Sequence, residues 1–180
     1  MKTQTYQEYN RVIQTCKDIF LKKTKDYGTA WRILRLPSLT DQLYIKAQRI
    51  RSIQEKGTQH VEDSVAGEFV GIINYCIIAL IQLTLPDDAP LELPLTELEP
   101  HYDRMAEETL RLLKSKNHDY GEAWREMRIS SITDIILMKL LRVKQIEDND
   151  GQTVISEGVS ANYQDMINYA VFCLIKMNTL

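Results

Sequence analysis

Glycine and proline are scarce in this 180-residue chain, at 7 and 5 residues, and four of the five prolines fall between Pro86 and Pro100. So little punctuation excludes a collagen-like or low-complexity chain and favours long, uninterrupted helices. Cysteine is sparse as well. Cys16, Cys76 and Cys173 form no Cys-x-x-Cys pair, so neither a zinc site nor a disulfide framework is expected. Two of them, Cys76 and Cys173, sit within apolar runs, the usual setting of a buried thiol. This pattern suits a reducing, cytoplasmic location. Basic residues are not in excess either: 22 Lys and Arg face 25 Asp and Glu, for a net charge of -3 and a pI near 5.7. A chain so balanced is not expected to bind the nucleic-acid backbone directly. The first ten residues lack the apolar core of a signal peptide, and no stretch alternates as a strand would.

Apolar material is plentiful. At 44% hydrophobic and 26% charged residues, a compact body of this length buries roughly 70% of its unfolded surface. The most apolar run, Phe69 to Leu85, contains Asn74 and Gln82, and its later counterpart, Tyr163 to Met177, includes Asp165 and Lys176. Both read as buried core or interface helices, and no membrane partner is expected.

The organisation is a tandem repeat. At an offset of 93, Asp26-Tyr27-Gly28 falls on Asp119-Tyr120-Gly121, Ala30-Trp31-Arg32 on Ala123-Trp124-Arg125, and Arg35 on Arg128. Lys46 and Arg49 fall on Lys139 and Arg142, and half of the positions from 26 to 49 are identical. One inserted residue makes the offset 94, which aligns Gly57 with Gly151, Asp63 with Glu157, and Asn74-Tyr75 with Asn168-Tyr169. The expected division is 1–84 for the first repeat, 85–100 for an irregular proline-rich connector and 101–180 for the second repeat.

Each repeat reads as three helices, spanning about Tyr6–Lys23, Ser38 to Gly57 and Asp63–Leu83, with counterparts at Tyr102–Lys116, Ser131 to Gly151 and Glu157–Met177. Ser38-x-x-Asp41 and Ser131-x-x-Asp134 resemble capping arrangements, and Gly57 and Gly151 suit left-handed C-caps. The expected fold is therefore all-α: a six-helix bundle whose two three-helix repeats are related by a pseudo-twofold axis and share one core. Neither repeat alone could cover its apolar third helix.

Two constellations carry candidate chemistry. Lys46 and Arg49, like Lys139 and Arg142, are three apart on one helix face, where an ammonium and a guanidinium make a phosphate grip. On the last helix, Glu157, Asp165 and Asn168 lie within about 80° of one another at 100° per residue. Acids on a largely apolar face need partners, either a divalent cation such as magnesium, or manganese in its place, or lysine and arginine from a neighbouring helix. The repeats diverge here, because Gly71 stands where Asp165 would be and Glu68 where Asn162 would be. This divergence suggests one working site per chain, in the second repeat. The Asp-Tyr-Gly-x-Ala-Trp signature reads either as a rigid corner or as a base pocket lined by its aromatics, Tyr27 and Trp31 or their counterparts Tyr120 and Trp124, with Asp26 or Asp119 joining the metal site.

The order Lys116, Asp119-Tyr120-Gly121, Trp124, Lys139, Arg142, Glu157, Asp165, Asn168 and Tyr169 resembles the family named nucleotide modification associated domain 1. The likeness spans nearly all of each repeat, with the first departing at Gly71, and it implies a link to nucleotide metabolism. A looser, architectural likeness is to all-α nucleotide pyrophosphatases of the MazG kind, whose Glu-x-x-Asp equivalent is reduced here to Asn162-x-x-Asp165. The resulting expectation is a nucleotide-binding protein with a magnesium-dependent phosphohydrolase or nucleotide-modifying activity. Glu157 and Asp165 would hold the metal, with Asp119 as a third catalytic acid. Lys139, Arg142, Lys46, Arg49 and Arg128 would bind phosphate, and Asn168, Trp124 and Tyr120 would complete the substrate site. The alternative is a non-catalytic module that binds a nucleotide, another phosphorylated small molecule or a partner protein. Self-association into a homo-oligomer is left open.

Overall fold

The computed structural model describes residues 2–58 and 64–180. Among them are six α-helices and two short 3-10 turns, with no strand. The first repeat contributes α1 (Lys2–Tyr27), α2 (Leu36–Lys56) and α3 (Val65–Thr84), and the second α4 (Leu95–Tyr120), α5 (Ile129–Asp148) and α6 (Val159–Met177). The 3-10 turns, Ala30–Ile33 and Ala123–Glu126, follow the two Asp-Tyr-Gly corners. Asp63, the expected start of the third helix and the counterpart of Glu157, lies outside the described residues.

Local chemistry accounts for most helix ends and corrects several expectations. The first helix of each repeat runs four residues past its expected end. It stops only where Gly28 and Gly121 take φ of +64° and +65°, a conformation open to residues without a Cβ. Ser38 and Ser131 are not N-caps. The chain enters α2 at Leu36 with Pro37 in the first turn, where a missing N–H costs no helical bond. Neither Arg35 nor Arg128, at the cap positions, makes a side-chain capping bond. Gly57 does close α2 in the left-handed region. In the second repeat α5 ends at Asp148, and Gly151 takes its left-handed conformation only after Asn149 and Asp150. The connector is also shorter than expected, since α4 begins at Leu95 and carries Pro100 inside its first two turns. At this sixth position Pro100 lacks the N–H that would bond to the Thr96 carbonyl, and the helix continues past it.

The α3–α6 pair lies between a layer formed by α2 and α5 and another formed by α1 and α4. By length and composition α3 could cross a membrane, but 72% of its apolar window is buried inside the protein. A single hydrophobic cluster joins Phe69, Ile73 and Ile77 of α3 to Met166, Ile167 and Val171 of α6. The three cysteines are buried in it. Burial pushes the Cys16 and Cys173 thiols up to about 12, so they are inert where they stand.

Several contacts between the repeats come in matched pairs. Tyr9 donates its hydroxyl to Asn168 Oδ1 at 2.9 Å, and Tyr102 donates to Asn74 Oδ1 at 2.8 Å. The same two asparagines donate to the carbonyls of Thr109 and Cys16. Arg51 pairs with Asp134 at 3.6 Å, and Lys144 pairs with Asp41 at 3.4 Å. Gln54 donates to Thr133, while Thr40 donates to Glu147. At offsets of 93 and 94, each contact becomes its fellow when the repeats exchange places.

Candidate functional site

The acids on the third helices lie against lysines, as the ion-pair alternative requires. In the second repeat Lys116 and Lys139 each donate to one oxygen of Asp165, at 2.5 and 2.7 Å. The Asp165 and Lys139 side chains are 7% and 11% exposed. Burial lowers the pKa of Lys116, but the bond to Asp165 outweighs it and holds the ammonium above the ordinary lysine range. In the first repeat Gly71 cannot supply that carboxylate, and Glu68 takes over from one turn earlier. It accepts from Arg49 at 2.9 Å and faces Lys46 at 3.5 Å. The stem and ammonium of Lys46 fold over Gly71, where a Cβ would meet them at 3.0 to 3.2 Å. The lysine thus keeps an acid in both repeats, although the acid changes position.

The space around these pairs differs sharply between repeats. In the first, a cleft of about 1050 Å³ is bounded by Lys23 and Tyr27 of α1, Trp31, Lys46, the N-terminal half of α3 and the end of α6 at Met177. Its polar and aromatic lining includes Glu68, Asn74 and Tyr75, and Gly71 and Ile78 form part of its wall. The Lys46 ammonium stands 5.6 Å from the Tyr75 ring centre. Burial, together with Tyr75 and Asp26 nearby, raises the Tyr27 phenol. Lys23 is exposed and has no hydrogen-bond or ion-pair partner among the described residues.

The second repeat has its own side chains in the corresponding positions. Phe172, the counterpart of Ile78, lies flat on Trp124 with ring centres 4.2 Å apart and planes 5° from parallel. Tyr169 meets Phe172 edge-on, and Arg125 stands 4.4 Å from the Trp124 ring centre. Neither Trp31 nor Trp124 finds an acceptor for its buried indole N–H among the described residues. In the second repeat it is the ring faces that make the contacts. What remains open there is a smaller, polar cleft of about 530 Å³, where Lys139, Arg142, Glu157 and Asn162 meet the chain from Gln152 to Ser156.

The candidate residues therefore separate into groups. Lys139, Arg142 and Glu157 share the second cleft, with Asp165 behind Lys139. Lys46 and Arg49 meet at Glu68. Asn168 and Trp124 are core residues, the first holding Tyr9 and the second stacked on Phe172. Asp119 is exposed beside His118, Tyr120 is 78% exposed and Arg128 is exposed at the start of α5. None of these three lines either cleft. Both oxygens of Asp165 are taken by ammonium groups, and no group of three or more His, Cys, Asp or Glu among the described residues could hold a metal ion. A magnesium or manganese ion at Glu157 and Asp165 would have to displace these two lysines. The sequence reading weighed Tyr27 and Trp31 for a base pocket but passed over Lys23 and Tyr75, because Gly71 marked their repeat as the one that had lost an acid. The same glycine is part of the wall of the larger cleft.

Comparison with curated proteins and with solved structures returns no match. A family model described as nucleotide modification associated domain 1 matches residues 23–83 and again 116–177. Both segments contain the signature corner, the Lys-x-x-Arg helix and the third helix, and together they cover most of the chain. The chain belongs to the nucleotide modification associated domain 1 family, with two copies of the domain in tandem.

Proposed function

We propose that this protein binds a nucleotide in the cleft of its first repeat. The observation that carries this reading is the combination of that cleft's size with its lining. It offers about 1050 Å³, at the upper limit of small-molecule sites, which pair apolar and aromatic walls with a few polar groups. Tyr27, Trp31 and Tyr75 supply aromatic surface for a base. Lys23 and Lys46 supply positive charge for phosphate, and of these Lys23 has no acid to satisfy among the described residues. The family's description links the domain to nucleotides. Support for hydrolysis is thinner, since the carboxylates Glu68 and Asp165 are both engaged by cations. Binding without an obligatory metal is the reading favoured here.

The test is thermal melting of the full chain against a panel of ribo- and deoxyribonucleotides, with magnesium and with EDTA. Ligand at about 100 times its Kd adds roughly 2.7 kcal/mol, a shift on the order of 5–10 °C for a chain of this size. We expect a nucleotide-dependent shift that survives EDTA. If no nucleotide moves the midpoint, the proposal fails. A shift that requires magnesium would restore the metal-dependent reading.

A further inference from the structure

The two repeats differ at the positions where a ligand would matter, and the second displays what the first lacks. At the position of Gly71 it carries Asp165, whose carboxylate lies between Lys116 and Lys139. Their counterparts, Lys23 and Lys46, both line the open cleft. At the position of Ile78 it carries Phe172, flat against Trp124, while Trp31 and Ile78 both line the open cleft. The second repeat thus contains, as its own side chains, an anion between two lysines and a planar ring on a tryptophan. In the first repeat the lysines and the tryptophan are retained with Gly71 and Ile78 in place of those side chains; Lys46 leans over Gly71 toward Glu68, and Lys23 has no acid partner among the described residues.

We infer that the first cleft takes a ligand with one planar ring stacked on Trp31 and one anionic group held by Lys23 and Lys46, in the places that Phe172 and Asp165 fill in the second repeat. This deepens the nucleotide-binding proposal and rests on it. The two places are seven residues apart on one helix, about 10 Å along its axis. A phosphate attached directly to the ring would be too short for that span, so a spacer the size of a pentose is needed. The ligand class is a nucleoside monophosphate. A single anion replaces a single carboxylate: one phosphate supplies the acid that Lys23 lacks and shares the Lys46 ammonium, which Glu68 faces at 3.5 Å. The inference also explains why Gly71 is tolerated in a repeat that keeps the signature corner and the Lys-x-x-Arg helix: Glu68 serves Lys46 and Arg49, and the ligand supplies the acid that Lys23 lacks.

The test exchanges these residues in the full chain. Binding of thymidine and adenosine 5′-monophosphates is followed by calorimetry and by quenching of tryptophan fluorescence, with the matching nucleosides as controls. The wild type should bind one equivalent of a monophosphate, and the quenching should be lost in Trp31→Phe. The nucleosides should bind more weakly by about tenfold or more, the effect of losing a charged hydrogen bond. Gly71→Asp combined with Ile78→Phe should remove binding while leaving helical content and cooperative melting intact, because the Lys46 stem that a Cβ at Gly71 would meet is flexible and the second repeat accommodates the same pair. Asp165→Gly combined with Phe172→Ile should add a second equivalent. If that variant does not fold, the first double substitution still decides. Monophosphate binding unchanged by Gly71→Asp/Ile78→Phe would overturn the inference and leave the nucleotide-binding proposal standing. Equal affinity for nucleosides would overturn the anion site in the same way. A wild-type protein that binds no nucleotide at all would overturn both.

Discussion

Asp165 lies where two ammonium groups meet, and its removal separates an ion-pair role from a metal-ligand role. Asp165→Asn keeps the shape but leaves Lys139, 9% exposed, facing a neutral amide. Breaking one side of a buried pair costs about 3–5 kcal/mol, and the partial exposure of Lys116 points to the lower end, about 3 kcal/mol. Urea unfolding of the variant measures this loss directly. A cost below about 1 kcal/mol would mean that the pair is idle. Glu147 makes the complementary case. Burial raises its pKa, even though Thr40 and Tyr163 donate to it. A carboxyl whose folded pKa is raised loses stability as pH climbs through that value, and carries no such penalty below the unfolded value of 4.5. The first repeat has Gln54 in the same place, bonded to Thr133 at 3.1 Å. Glu147→Gln should therefore stabilise the protein at neutral pH, and the gain should fade in melts recorded below about pH 4. A gain that grows on acidification would contradict this sign. The repeat was legible at residue scale, but the partners of these acids were not. The alternatives for Asp165 could be written down from sequence, yet only packing brings Lys116 and Lys139 to opposite oxygens of one carboxylate.

Among the elements, α3 and α6 were the most legible, because a helix apolar nearly all round has to be covered on several sides. Their partners across the repeat boundary were not. The two asparagines at equivalent positions, Asn74 and Asn168, each accept from a tyrosine of the other repeat's first helix. These are buried bonds, and truncating the donor leaves an amide oxygen without a partner. Tyr9→Phe and Tyr102→Phe should each cost about 1–3 kcal/mol, and by similar amounts, since the bonds are matched. Denaturant midpoints of the two variants provide the comparison. A variant that costs nothing while the other costs several kcal/mol would show that the matched contacts do not carry matched weight. Helix ends were the least legible feature. Ser38 and Ser131 had the composition of caps, but Pro37 in the first turn let α2 begin two residues earlier.

The whole molecule interleaves its repeats: α1 packs on α6, and α4 on α3. Neither half contains all the partners of its own third helix. We expect residues 1–94 and 95–180, expressed separately, to lack cooperative melting, and to recover it when mixed. Two halves that each melt cooperatively alone would show that the shared core is dispensable. The duplication, the all-α class, the apolar third helices and the retained Lys-x-x-Arg faces followed from sequence by itself. They depend on identity, on composition and on the 3.6-residue period of a helix, all of which are local in the chain. Which repeat is open was decided only by the tertiary structure. Gly71 reads as a loss along the chain. In the fold it is part of the wall of a cleft, because the volume at a site is set by side chains from several helices at once.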